Sequence, residues 1–209
     1  MSGVILGGLH SSCGKTAISC LLIAGLQKRG HDVQPFKVGP DFIDPGYHNV
    51  YSKRKSRNLD FWLFGGEEGV GKEARTHASG RLGIVEGVMG LFDGWQASSD
   101  AESTMHVARM LDWPIILIVP AEKVGRSIIA MLRGFLAEAE ENRVGGVILN
   151  QVSGDSHTAY LKEAIEPLKI PVLGAIGKQD ELRWNERHLG LTASQERELA
   201  SEDDLASLA

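Results

Sequence analysis

A chain of 209 residues with 43% apolar and 23% charged residues is long enough for a packed core and too apolar for wholesale disorder. Its net charge of −5 argues against a sequence-independent nucleic-acid binder. No apolar run approaches the ~20 residues that a membrane span needs. The two cysteines, Cys13 and Cys20, form neither a CxxC pair nor a zinc spacing, so a reduced cytoplasm is the expected compartment. The first residues, Met1 to Leu6, lack the basic region and long apolar stretch of a secretory leader.

Six short apolar, β-branched runs recur, at residues 4–6, 33–38, 82–85, 115–119, 144–149 and 172–176. Such runs predict strands buried on both faces. Between them, residues 15–29, 67–78, 103–111, 124–139 and 157–168 have helical character. Strand and helix in alternation predict an α/β fold, a doubly wound and mostly parallel sheet with helices on both faces, in one domain. Residues 39–60 read as an unusually long non-periodic loop, which in compact domains points to function. Residues 195–209, acidic and rich in Ala, Leu and Ser, fit either a last helix or a tail.

After the first strand comes Gly7-Gly8-Leu9-His10-Ser11-Ser12-Cys13-Gly14-Lys15-Thr16, then a helix. The phosphate-loop formula asks for Gly at position 9, and Gly8 misses it by one. The physics still fits. A helix N-terminus reached through small residues directs backbone N–H groups at an anion. Gly8, His10, Ser11, Ser12, Cys13 and Gly14 would cradle the phosphates, Lys15 would add a full charge, and the Thr16 hydroxyl would ligate Mg²⁺. His10 stands where partitioning-type ATPases and the nitrogenase iron protein carry a second lysine, which argues against that group.

A triphosphate site also needs carboxylates, because Mg²⁺ takes oxygen ligands. Asp41 and Asp44 lie three apart beyond the second strand, beside Lys37, on a segment read as a turn held by Gly39, Pro40, Pro45 and Gly46. Ligands of doubly wound sheets bind at those strand ends. Glu86 ends the apolar run Leu82-Gly83-Ile84-Val85, where a lone carboxylate is costly unless paired or metal-bound. Asp93, on the next loop, fits a site acid and a turn cap equally well.

Together these segments resemble the cobyrinic acid a,c-diamide synthases of corrinoid biosynthesis and their hydrogenobyrinic acid and nickel-sirohydrochlorin relatives. The resemblance rests on the phosphate loop, on Gln34 through His48, on Ser56-Arg57-Asn58-Leu59-Asp60, and on Glu86 through Gly94. It continues in Gly146 through Asn150 and in Glu186-Arg187-His188-Leu189-Gly190-Leu191. It covers residues 4 to about 191 and implies a fold similar to dethiobiotin synthetase, with a synthetase unit over residues 1–194.

The resemblance also implies a reaction. ATP phosphorylates a substrate acetate, and ammonia converts the acyl phosphate to an amide. Thr16, Asp41 and Glu86 would hold Mg²⁺ with Asp44 close by. Lys15 and Lys37 would neutralise the phosphoryl group, and Asp93 would act near substrate. Arg57, Ser103 and Thr104 fall in segments similar to the family's substrate region. Asn150 resembles the purine-recognising Asn of such enzymes, and as a strand-end turn residue it fits equally well. Relatives of this fold dimerise with the active site near the interface, so a homodimer is expected.

Family members carry a C-terminal glutaminase domain, and this chain ends at Ala209 without one. Ammonia would come from solution or from a separate glutaminase chain. Smaller departures are Leu9 for the usual Thr, Pro120 for Asp, and Trp184-Asn185 for Leu-Pro. None removes a catalytic group. Outside the motifs, the basic run Lys53-Arg54-Lys55 reads as a solvated loop and His106 as structural. Trp62, Trp95, Trp113 and Trp184 read as core or interface.

Overall fold

The computed structural model describes residues 2–140 and 143–178. Its strands are β1 (Ser2–Gly8), β2 (Val33–Val38), β3 (Arg57–Leu59), β4 (Leu82–Glu86), β5 (Ile115–Pro120), β6 (Val144–Val152) and β7 (Val172–Gly177). The helices are α1 (Lys15–Lys28), α2 (Asp44–Tyr51), α3 (Glu67–Ala78), α4 (Thr104–Leu111), α5 (Ile128–Glu138) and α6 (Asp155–Ile165), the last followed by a 3-10 turn, Glu166–Leu168. The strands form one seven-stranded sheet in the order β3-β2-β4-β1-β5-β6-β7. Every neighbouring pair is parallel. The predicted fold class is therefore observed.

The apolar runs read as continuous because successive side chains leave the sheet on opposite faces and both faces are covered. Leu6, Val33, Ile84, Ile118 and Ile148 pack with α1 and with Tyr47 and Tyr51 of α2. Their chain neighbours Ile5, Val85, Leu117 and Leu149 pack on the other face with residues of α3, α4, α5 and α6. No helix among the described residues is long and apolar enough to cross a membrane.

Three predicted boundaries need correction. The stretch 39–60 is not one loop, since it contains α2 and the short edge strand β3. Asp44 opens α2 rather than sharing a turn with Asp41, and Pro45 and Gly46 lie inside that helix. The fifth helix starts at Ile128, not at 124, because residues 121–128 make tight turns with Lys123 at positive φ. Trp113 is core, at 3% exposed, but Trp62 and Trp95 are 86% and 82% exposed on this chain. Trp184, His188, the Glu186–Leu191 motif and residues 195–209 lie outside the described residues.

One contact explains two of the glycines. Gly3 of β1 pairs in register with Gly83 of β4. The Trp113 indole lies over both, so a Cβ would fall 2.3 Å from the ring at Gly3 and 2.1 Å at Gly83. Gly83→Ala should therefore overpack the centre of the sheet and cost about 1–3 kcal/mol. In urea unfolding, Trp113→Leu should recover part of that loss in the double variant. Additive losses would show that the ring does not set the requirement.

Candidate functional site

The sheet places the phosphate loop at its centre. From β1 the chain moves to one side through β2, β3 and β4, and then crosses to β5 on the other side. Crevices open where direction reverses in this way, beyond the carboxyl ends of the strands. Gly14, at the N-terminus of α1, has φ +92°, a left-handed value that favours glycine. A Cβ there would sit 2.2 Å from Asn150 Nδ2. That amide donates to the Cys13 carbonyl at 2.9 Å, so the end of β6 braces the loop from behind. The loop is also tied to the segment after β4, where Leu91 N–H donates to the Gly8 carbonyl (2.8 Å).

Lys15 is buried, and its ammonium donates to the carbonyls of Met89 (2.6 Å) and His10 (3.2 Å). Among the described residues no carboxylate lies within 4.0 Å of it. A buried cation held by carbonyl dipoles keeps charge available for an anion.

Beside it lies a second, fully paired cluster. Glu86 is buried at the end of β4 and accepts three hydrogen bonds. They come from Thr16 Oγ1 to Oε1 (2.7 Å), Lys37 Nζ to Oε1 (3.0 Å) and His48 Nε2 to Oε2 (2.7 Å). Lys37, on β2 directly opposite Glu86, also contacts Asp44 Oδ2 at 2.6 Å, the Gly87 carbonyl at 3.1 Å and Asp41 Oδ2 at 4.0 Å. Asp41 Oδ1 accepts from the N–H groups of Ile43 (2.8 Å) and Asp44 (3.2 Å), which shapes the entry to α2.

The charges here are strongly coupled. Burial alone would push the Glu86 carboxyl up. The Lys37 ammonium and the hydrogen bonds from His48 and Thr16 outweigh it and hold Glu86 well below the usual carboxylate range. Burial opposes charge on Lys37, yet Glu86 and Asp44 hold it above the ordinary lysine value. Asp44 moves the other way, raised to about 6 by burial and then by the Glu86 charge, against the pull of Lys37.

Asp44 thus keeps its proton in the folded chain between about pH 4 and about pH 6, where the unfolded chain has released it. Its contribution to stability therefore falls as pH rises through that window. Glu86 has the opposite sign and loses its contribution only as pH falls below its unfolded value. Urea midpoints of the wild type should decline relative to Asp44→Asn between about pH 4 and about pH 6. Parallel pH profiles would mean that Asp44 titrates as in the unfolded chain.

Of the residues singled out in sequence, Thr16, Lys37, Asp41, Asp44 and Glu86 converge on one cluster, with Lys15 and the loop next to it. Asp93 is exposed and its Oδ2 accepts from Gly90 N–H at 2.8 Å, holding the loop after β4. Ser103 is buried, and its hydroxyl accepts from the His106 N–H as a cap of α4. Thr104 Oγ1 is buried against the Val88 backbone (3.0 and 3.2 Å). Arg57 is exposed and directed at Glu73 of α3, 4.0 Å away, rather than at the cluster. In the basic run, Arg54 pairs with Asp32 at 2.8 Å. His106 stacks on Phe61 with ring centroids 4.6 Å apart and bonds Glu67.

One residue of the cluster was not among those singled out. His48 sits on the buried stripe of α2 with Tyr47 and Tyr51. That stripe at helical spacing was the available signal, hidden by Pro45 and Gly46. Around the mouth, the loops after adjacent β2, β3 and β4 expose Phe42, Trp62, Met89 and Trp95.

The donor set is chemically suited to a hard divalent cation. Three carboxylates face one ammonium, and the Thr16 hydroxyl already touches Glu86. No three His, Cys, Asp or Glu side chains among the described residues could hold a metal by themselves. A cation here would need oxygens from a bound phosphate, as Mg²⁺ commonly does.

Strand, small-residue loop, helix N-terminus and a buried acid on the adjacent strand define an α/β nucleotide-binding domain of the phosphate-loop type. The chain belongs to the CobQ/CobB/MinD/ParA nucleotide binding domain family, whose model matches residues 4–191. It is 41% identical over 206 residues to the hydrogenobyrinate a,c-diamide synthase of Streptomyces coelicolor, covering 98% of this chain and 42% of that protein. It is 42% identical over 194 residues to the cobyrinate a,c-diamide synthase of a Synechococcus species, covering 92% and 42%. The chain thus spans less than half the length of these relatives. Among solved structures, chloroplast FtsY from Physcomitrella patens superposes with a TM-score of 0.58 at 16% identity, covering 85% of this chain and 59% of that one. That likeness concerns the fold alone.

Proposed function

We propose that this chain is the ATP-dependent synthetase portion of a corrinoid a,c-diamide synthase. The observation that carries the reading is the buried Lys15 ammonium, without a carboxylate partner among the described residues, beside the Thr16–Glu86–Lys37–Asp44 cluster. A γ-phosphate seated at the N-terminus of α1 would meet Lys15 on one side and Lys37 on the other. Phosphoryl transfer needs little more than such positioning and charge neutralisation. A substrate acetate oxygen attacks the γ-phosphorus and ADP leaves. Ammonia nitrogen then attacks the acyl carbon, the acyl–phosphate oxygen bond breaks, phosphate departs and the nitrogen loses a proton. Thr16, Asp41 and Glu86, with Asp44 close by, would hold Mg²⁺, which when bound would neutralise negative charge on the phosphates.

The substrate is a macrocycle bearing acetate side chains, and cobyrinic acid is the first to test. Hydrogenobyrinic acid is the second, because relatives of both names match equally well. The exposed Phe42, Trp62, Met89 and Trp95 provide an apolar rim suited to a flat ring or to a second copy of the chain. The reading includes a homodimer and ammonia as the nitrogen donor.

Phosphate release from MgATP with cobyrinic acid, in the presence of ammonium or glutamine and with products weighed by mass spectrometry, tests the proposal. Amide with ammonium is expected. No amide from either macrocycle would overturn the substrate assignment. ATP turnover indifferent to any macrocycle would favour a nucleotide-dependent switch.

A further inference from the structure

Glu86 has more donors than its distances to Thr16 and Lys37 require. Both of those lie on Oε1, which leaves Oε2 to a residue from a different element. His48, on α2, places Nε2 2.7 Å from Oε2, and both side chains are 1% exposed. A carboxylate can only accept here, so Nε2 carries the hydrogen and donates it. The other ring nitrogen, Nδ1, lies 3.0 Å from Ser56 Oγ. Ser56 is itself fixed by Asn49 Oδ1, which accepts its N–H at 2.7 Å, one residue along α2 from His48. The imidazole is thus held at both ends, and the Glu86 carboxylate is held by it.

We propose that His48 is a positioning residue for the nucleotide-linked cation site: by fixing Oε2 of Glu86 it presents Oε1 at the place shared by Thr16 and Lys37. The inference rests on the nucleotide reading of the site and concerns only how this chain orients its own acid. Free to rotate about its last bond, a buried carboxylate would distribute both oxygens between Lys37 and Thr16. With Oε2 engaged, only one oxygen can face the phosphate loop. Partners that orient a ligating side chain in this way commonly matter roughly 10–100-fold for metal affinity. Neither Thr16 nor Lys37 could substitute for His48, because both approach from the Oε1 side.

The test reads metal binding rather than amide formation. Mn²⁺ binding to the full chain would be followed by electron paramagnetic resonance with a non-hydrolysable ATP analogue present. The proteins are wild type, H48L, H48Q, H48N, E86Q and the double variant H48L/E86Q. H48L should weaken Mn²⁺ binding roughly 10–100-fold. H48Q should restore most of it, because its amide nitrogen reaches the position of Nε2. H48N should not, because its amide reaches only toward Ser56; this pair keeps the test valid if H48L fails to fold. In the E86Q background, H48L should add no further loss, since its effect runs through the carboxylate.

Wild-type affinity in H48L, equal losses in H48Q and H48N, or a full H48L penalty on top of E86Q would each overturn the inference alone. A wild type that binds no Mn²⁺ with the analogue would overturn the nucleotide reading, and this inference with it.

Discussion

Lys37→Ala should be the most damaging single substitution in the described chain, on stability and on turnover together. It removes the ammonium that bonds both Glu86 and Asp44, at 3.0 and 2.6 Å, and leaves the two acids side by side. Breaking a buried pair from one side typically costs about 3–5 kcal/mol, because the remaining charge loses its opposite charge where water screens little. That is a large part of what holds a domain folded. The urea midpoint at neutral pH should fall accordingly. It should partly recover toward acid, where Asp44, without the downward pull of Lys37, takes up its proton more readily. A midpoint equal to the wild type would show that another group neutralises the acids. Turnover should also vanish, since Lys37 is the second cation beside the γ-phosphate in the proposed reaction.

Glu86→Gln separates the two effects. The amide keeps the shape of the carboxylate and can still accept from Thr16, while Lys37 retains Asp44 at 2.6 Å. No buried charge is left without a partner, so stability should change less than in Lys37→Ala. Phosphate release from MgATP should nevertheless fall by roughly a thousandfold, because an amide is a poor ligand for a hard cation. An unchanged rate would remove Glu86 from the cation site. A midpoint as low as that of Lys37→Ala would mean that the carboxylate is the structural centre of the cluster.

What could be read in sequence follows burial. The strands covered on both faces were legible, because both faces demand apolar residues and the runs stand out. β3 was not, being three residues at a sheet edge, Arg57-Asn58-Leu59, with only Leu59 buried. Helix α2 was missed because Asp44-Pro45-Gly46 reads as a turn. A proline in the first turn of a helix is favourable, however, and α2 uses it that way. That error also concealed His48. The loop and its acids were legible because their chemistry needs particular residue types at fixed strand ends. The pairing of Lys37 with Glu86 was not, since it depends on β2 and β4 being neighbours, which no spacing along the chain reveals. Asn150 shows the same limit. Its contact with the Cys13 carbonyl spans 137 residues.

The position of β1 has a consequence for how the chain is made. It is the first of the seven strands to be synthesised, yet its two neighbours are β4 and β5. Residues 82–86 and 115–120 must emerge before both of its edges are covered. At ~5–20 residues per second, that delay is on the order of ten seconds. Until β5 is made, an apolar strand waits with at least one edge open, a state prone to pairing with other chains. Any help that a bound nucleotide gives to folding must also wait, because the segment after β4 that anchors Lys15 and the loop does not yet exist. Of the seven strands, the one made first depends on two made much later.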